Sequence, residues 1–237
     1  MRRTLFAAVL TAASVGVGCK PTAAVTTNPA FADAKTPITV YERLESLIDA
    51  GKDSKKDRED AYRHVQTMGD GTPAYFFARA AIAGRLAEKR GAEAGLLVTE
   101  AEDYARRARA VEPDFLDGSA TRLLGSLYVL APGRLLKHGD SETGLELLEG
   151  EAKAHPERLV SRLRLAEAYI ALNDPDPATE HLCAVQAGEA SLSNGDKKLL
   201  AKLVADAGSP ECKAAAPAPA AEPSTAAPAP TDASPAK

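Results

Sequence analysis

The fold of this chain is decided by Ala120–Pro156, whose sequence is ATRLLGSLYVLAPGRLLKHGDSETGLELLEGEAKAHP. Its first part carries apolar residues at i, i+3, i+4, i+7, i+8 and i+11, the spacing of one face of an amphipathic helix. They are Ala120, Leu123, Leu124, Leu127, Tyr128 and Ala131. A second helix carries Leu145, Leu148 and Ala152 on one face. Because Pro156 ends this second helix, the stretch predicts two helices joined by a loop.

Helical spacing of apolar residues continues from Thr36 to Cys212, and no stretch alternates as a half-buried strand does. Helix starts in this range carry an N-cap residue followed by proline, or the two ends of a capping box. They are Thr36-Pro37, Ser54–Asp57, Thr72-Pro73, Asp176-Pro177 and Ser193–Asp196. This part of the chain is long enough to bury one core of stacked helices. The sequence therefore predicts an all-α domain over residues 36–212.

The order of these motifs carries a family resemblance. Leu124-Gly125-x-x-Tyr128 on one helix, with a partner helix that ends in proline, resembles one tetratricopeptide repeat. In the next pair, Ala166 and Tyr169 take the places of Gly125 and Tyr128. The resemblance implies a short right-handed solenoid of three to four helical hairpins with a terminal capping helix. It also implies that the first helix of each pair lines a concave face.

The loop inside the opening stretch is longer than such a repeat needs. The loop of residues 131–139 makes this repeat about seven residues longer than the usual 34-residue period. Arg134, Leu135 and Leu136 lie in this insertion. Two leucines in a polar loop predict that it folds back on the surface or contacts a partner, and loops of this kind often carry function. A simple long turn is the alternative.

The N-terminus predicts export and a lipid anchor. Residues 1–18 contain two arginines and then an uncharged apolar run that fits a signal peptide and is too short to span a bilayer. Gly16-Val17-Gly18-Cys19 resembles a bacterial lipobox, which implies diacylglycerol on Cys19 and a periplasm-facing chain in the cell envelope. Lys20 favours the outer membrane by analogy with enteric bacteria. The alternative is an ordinary signal peptide with an incidental cysteine.

Two segments are predicted to lie outside the helical domain. Residues 19–35, which begin with the cysteine, are rich in threonine and alanine without apolar periodicity, so they predict a flexible tether. Residues 213–237 are almost entirely alanine, proline, serine and threonine. Such a segment buries too little apolar surface to offset its ordering entropy, and it is predicted to be disordered.

Charge and cysteine content bound the possible partners. The chain has a formal net charge of −4, and removing the two arginines of the signal leaves 27 basic against 33 acidic residues, or −6. This balance argues against nucleic-acid binding, which requires a basic face. Apart from Cys19, the chain contains Cys183 and Cys212. In an exported protein these two either form a disulfide or remain as inert thiols.

No motif in the sequence indicates chemistry. None of the four histidines is spaced with another histidine or a cysteine as metal ligands are. The sequence also lacks a G-x-S-x-G turn, a phosphate-binding loop and a dinucleotide fingerprint. We therefore expect no enzyme activity, no cofactor and no metal.

The remaining class of function is binding of a partner at the protein surface, and the repeat resemblance indicates which residues would form the binding surface. The predicted groove residues on the first helices are Tyr75, Arg79, Arg85, Arg122, Arg164 and Glu167. Arginines among aromatic and aliphatic residues can hold a carboxylate or an acidic segment. The alternative is that they only solvate helix faces. The sequence thus predicts a lipid-anchored periplasmic adaptor that binds another protein.

Two further hypotheses accompany this prediction. The lipobox, the all-α array and the Pro-Gly insertion together resemble the T component of TRAP-type transporter systems, which implies a periplasmic solute-binding protein as the partner. A different class of function is a carrier that holds a small apolar or carboxylate ligand between helices. Small residues in Ala78–Ala87 and Ala101–Ala108 would leave the space for it, although tight helix packing explains them equally well.

Overall fold

The computed structural model of the chain describes residues 28–212, and this part contains nine α-helices, three short 3-10 turns and no strand. The helices are α1 (Pro37–Asp49), α2 (Lys55–Gln66), α3 (Pro73–Ala87), α4 (Gly95–Val111), α5 (Ser119–Leu130), α6 (Ser141–Ala154), α7 (Leu159–Ala171), α8 (Pro175–Ala187) and α9 (Asn194–Asp206). The prediction of an all-α fold is confirmed. The predicted signal peptide, Cys19 and the segment 213–237 lie outside the described residues.

Most helix starts follow the capping residues of the sequence. The Thr36 and Thr72 side chains each accept a backbone N–H of the first turn, and Ser54 completes a capping box. The prediction for α8 was wrong by two residues: that helix begins at Pro175, with Asp174 at the N-cap position. Proline is tolerated throughout the first turn, where its missing N–H has no helical partner. The later proline therefore did not mark the start.

The helices after α2 pack as consecutive hairpins, α3 with α4, α5 with α6 and α7 with α8. Small residues lie where the paired helices approach each other. In the pair α5–α6, a Cβ added to Gly125 would come within 2.7 Å of the Leu148 side chain, and one added to Gly144 would come within 2.7 Å of the Gly125 carbonyl oxygen. These glycines set how closely the two helices approach.

The first helices of the hairpins form a second set of contacts. Each of α1, α3, α5, α7 and α9 contacts the next, and α9 also contacts α1. At this last contact the Asp49 carboxylate accepts the backbone N–H of Gly195, across 146 positions of sequence. The five helices therefore follow one another in a closed cycle, with an inner face toward the centre.

The end of the predicted tether is part of the domain. Phe31 is fully buried in the core formed with α1, α2 and α3. The backbone N–H of Asn28 donates to Asp60, and Arg43 of α1 pairs with Asp33. The prediction of a flexible tether is therefore wrong for residues 28–35. One buried aromatic ring fixes this segment, and a single residue produces no periodicity to recognise.

A disulfide joins Cys183 of α8 to Cys212, which follows α9. The Cα atoms of the two cysteines lie 5.3 Å apart. The sequence left open whether these cysteines form a disulfide or remain thiols, and in the structure they form the disulfide. It fastens the segment after α9 to the outside of the last hairpin.

The close approach of α5 and α6 is testable with one substitution made at two sites. Gly144→Ala should lower the free energy of unfolding by about 1–3 kcal/mol, because its methyl group would overlap the α5 backbone. Gly150→Ala on the same helix meets no atom within 4 Å and should raise it by about 0.5–1 kcal/mol. Urea denaturation measures both. Equal effects would show that the helices are not held together at Gly144.

Candidate binding site on the inner face

Three arginines of successive first helices lie within electrostatic reach of one tyrosine on α1. Arg85 lies on α3, Arg122 on α5 and Arg164 on α7, and the positive charges of all three act on the hydroxyl of Tyr41 on α1. Burial, with a smaller contribution from Glu45, raises the pKa of Tyr41 to about 12, and the arginines oppose this shift. The arginines remain partly exposed to solvent. The inner face therefore presents three guanidinium groups and a phenol to one region.

Two of these arginines bridge neighbouring first helices. Arg85 forms two hydrogen bonds of 2.8 Å to the Glu45 carboxylate on α1, and Arg164 donates to Asp196 on α9 at 2.8 Å. Arg164 also pairs with Glu167 on its own helix at 3.1 Å. Desolvation disfavours the charge of Arg85, but Glu45 more than offsets it, and the pKa of Arg85 is raised. The pairs hold α1 to α3 and α7 to α9.

Arg122 has a different environment. Its guanidinium donates to the backbone carbonyls of Leu116 and Asp117, and the nearest carboxylate oxygen, on Glu151, lies 3.6 Å away. Burial lowers the pKa of Arg122, as do the positive charges of Arg158 and Arg164, and Glu151 opposes the shift only in part. Arg122 is thus the central cation with the weakest carboxylate pairing.

The loop that Arg122 contacts is strained. Leu116 and Asp117 have φ values of 47° and 56°, and Gly118 follows with 75°. Left-handed backbone is unfavourable for leucine above all, and such strain persists only where the surroundings enforce it. A Cβ on Gly118 would lie 2.5 Å from a carboxylate oxygen of Glu151. Arg122 therefore fixes a loop that would otherwise relax.

Two predicted groove residues lie elsewhere. Tyr75 and Arg79 are buried against neighbouring helices, and the Arg79 guanidinium lies over the rings of Tyr62 and Tyr104 while pairing with Glu100. Placing them on the inner face was wrong. Six residues of helix turn the side chain by about 240°, so Arg79 and Arg85 cannot share a face.

The structure places Arg85, Arg122, Arg164 and Glu167 on half-buried positions of the first helices. It adds Tyr41, which sequence reasoning missed. The spacing of Tyr41 and Glu45, one helical turn apart on α1, was the available signal. It was overlooked because α1 fits the repeat pattern poorly.

The insertion loop folds back on α4. Leu135 and Leu136 are half-buried while Arg134 is exposed. The carboxylate of Glu102, fully buried in α4, accepts the backbone N–H groups of Lys137 at 2.8 Å and His138 at 2.7 Å. Of the possibilities for this loop, the structure has the folded-back one. Sequence reasoning missed Glu102, whose position on the apolar face of α4 was the signal.

Residues 28–212 hold no group of three or more histidine, cysteine, aspartate or glutamate side chains that could bind a metal ion. Within the same range no helix is long and apolar enough to cross a membrane. Comparison of the chain with known protein families and with curated proteins finds no match. The site must therefore be interpreted from its own geometry.

The role of Glu102 in holding the insertion is testable. Glu102→Ala should expose the peptide bonds after Arg134 and Lys137 to trypsin, because two hydrogen bonds to a buried charge are lost, each contributing about 1.5–3 kcal/mol. Limited proteolysis with mass spectrometry measures the cleavage rate. Asp103→Ala, which removes a half-exposed carboxylate facing the same loop, is the control. Equal cleavage in both variants would contradict this role.

Proposed function

We propose that this chain is a lipid-anchored adaptor in the bacterial cell envelope, which binds a partner protein through the inner face of a short solenoid of tetratricopeptide-like hairpins. The partner supplies an acidic segment. The observation that carries the proposal is that Arg85, Arg122 and Arg164, on three successive first helices, all lie close enough to Tyr41 for their charges to oppose the rise in its pKa. Guanidinium groups arranged around one region suit carboxylates, which they bind in a planar, bidentate manner.

The existing ion pairs are compatible with such a partner. Arg85 and Arg164 are paired with carboxylates, yet both guanidinium groups remain partly exposed at the inner face. An incoming carboxylate can therefore approach these guanidinium groups from the side that faces solvent. Arg122, whose nearest carboxylate oxygen lies 3.6 Å away, gains most from a new partner.

The proposed location has independent support. The bridge between Cys183 and Cys212 fits an oxidising compartment such as the periplasm, because cytosolic thiols are kept reduced. The lipobox-like Gly16–Cys19 adds the anchor, and Lys20 favours the outer membrane. The resemblance to TRAP-type T components makes a periplasmic solute-binding protein the first partner to test.

The carrier hypothesis placed its ligand in a space left by small residues of α3 and α4. The alanines of α3 and α4 that were to leave space are buried in the contact between these helices; Ala78, Ala80, Ala83, Ala101, Ala105 and Ala108 are all fully buried. Tight packing explains these small residues. We therefore retain the adaptor as the proposed function.

The inner face is testable by charge removal. The double variant Arg122→Gln, Arg164→Gln should weaken capture of the partner from solubilised envelopes at least about tenfold, because each lost charge-assisted hydrogen bond costs about 1.5–3 kcal/mol. Cross-linking with mass spectrometry identifies and quantifies the partner, and circular dichroism checks the fold. The control is Arg106→Gln, Arg109→Gln, two exposed arginines on α4. Undiminished capture by the first variant would contradict the proposal.

The anchor is testable separately. Cys19→Ala should move the protein from the membrane fraction to the soluble fraction and abolish the mass of the diacylglycerol. A single membrane-associated acyl signal is reversible, whereas diacylglycerol holds a protein stably. Fractionation and intact mass measure both effects. Unchanged fractionation with an unchanged mass would contradict lipidation.

A further inference from the structure

A cleft of about 320 Å³ lies on the outer side of the last two hairpins, over α7 and between α6 and α8. Its walls come from all three helices. They are Glu149, Ala152, Lys153 and Pro156 on the α6 side, Arg162, Leu165 and Tyr169 on α7, and Glu180 and His181 on α8. None of these residues belongs to the inner face, so the cleft is a separate surface.

The residues at the base of the cleft have counterparts one hairpin earlier. Leu124 and Tyr128 of α5 recur 41 residues later as Leu165 and Tyr169 of α7. In the earlier pair, Leu136 of the insertion packs in one cluster with Leu124 and Tyr128. The insertion thus covers on α5 the surface that borders the open cleft on α7.

Connection length explains the difference between the two hairpins. Ten residues, 131–140, join α5 to α6, whereas residues 172–174 join α7 to α8. Three residues complete the turn and cannot also reach back over α7. The surface around Tyr169, which is half-buried whereas Tyr128 is buried, is therefore open to a segment from elsewhere.

The polar contacts of the two tyrosines are also alike. The Tyr128 hydroxyl faces Glu102 of the preceding helix, and Tyr169 donates to the Glu149 carboxylate of its own preceding helix at 2.6 Å. Glu102 also accepts the two backbone N–H groups of the insertion. Glu149 is exposed at the cleft wall, so its carboxylate is placed to accept backbone N–H groups of a bound segment.

The remaining walls suit a peptide. Lys153 and Arg162 balance Glu149 and Glu180, so the cleft has no excess charge to attract an ion. The His181 ring stacks on Tyr169, and its Nδ1 atom is buried without a hydrogen-bond partner among the described residues. A peptide supplies an aliphatic side chain for the apolar part of the cleft.

We propose that the cleft between α6 and α8 docks an extended segment of a partner protein, which places a leucine-like side chain against Tyr169 and donates its backbone N–H groups to Glu149. The mode is the one by which the chain already holds its own insertion on α4. This site does not depend on the arginines of the inner face.

The probe for the test is a blocked, fluorescent peptide of residues 132–139, PGRLLKHG, because this sequence already binds such a surface within the chain. Titrated into the folded protein, it should bind saturably and shift the NMR signals of the Tyr169 and His181 rings. Replacing both of its leucines by serine should abolish binding. Fluorescence anisotropy gives the affinity.

Variants of the chain test whether the peptide binds in the cleft. Glu149→Ala should weaken binding at least tenfold, whereas Glu146→Ala, which removes an exposed carboxylate from the same helix, should not. The variant Arg122→Gln, Arg164→Gln should bind the peptide normally, so failure of the inner-face proposal is distinguishable. Absence of saturable binding would overturn the proposal, and so would equal affinity of Glu149→Ala and the unmodified chain. Loss of affinity only in Glu102→Ala would also overturn it, because the peptide would then be displacing the insertion.

Discussion

The contact between α1 and α9 is the constraint on which the inner face depends. Because the first helices follow one another in a closed cycle, Arg85, Arg122 and Arg164 act on the same tyrosine although they are far apart in sequence. In an open array the same side chains would be spread along a groove. Under the proposed function, an approaching carboxylate would meet them together, and charge-assisted contacts would orient it as well as bind it.

The same arginines also hold the cycle together. Arg85 joins α3 to α1, and Arg164 joins α7 to α9, so the two ion pairs flank the contact between the ends. A ligand that takes either guanidinium away from its carboxylate weakens the hold on α1 or α9. Under the proposed function, binding at the inner face and opening of the cycle would be linked, each changing the free energy of the other.

The sequence predicts those features of the structure that local residue patterns determine. The helices and most caps could be predicted, because spacing of 3.6 residues and capping residues are local. The burial of Phe31 could not, since it depends on contacts with segments distant in sequence, whereas Glu102 and Arg79 had local signals that were missed. Arg122 and Arg164 are half-buried on their helices, and the closed cycle of first helices has no signature in any single repeat.

The most direct test of this account is a disulfide trap between the ends of the cycle. In a chain with Cys19→Ala, Asp49→Cys and Gly195→Cys should cross-link within one molecule under mild oxidation, because the two residues are hydrogen-bonded. The control pair, Asp49→Cys with Asp206→Cys, lies about 16 Å further along α9 and should not. Mass spectrometry of digested monomer detects the bond. Absence of the cross-link, or equal cross-linking of both pairs, would contradict the closed cycle.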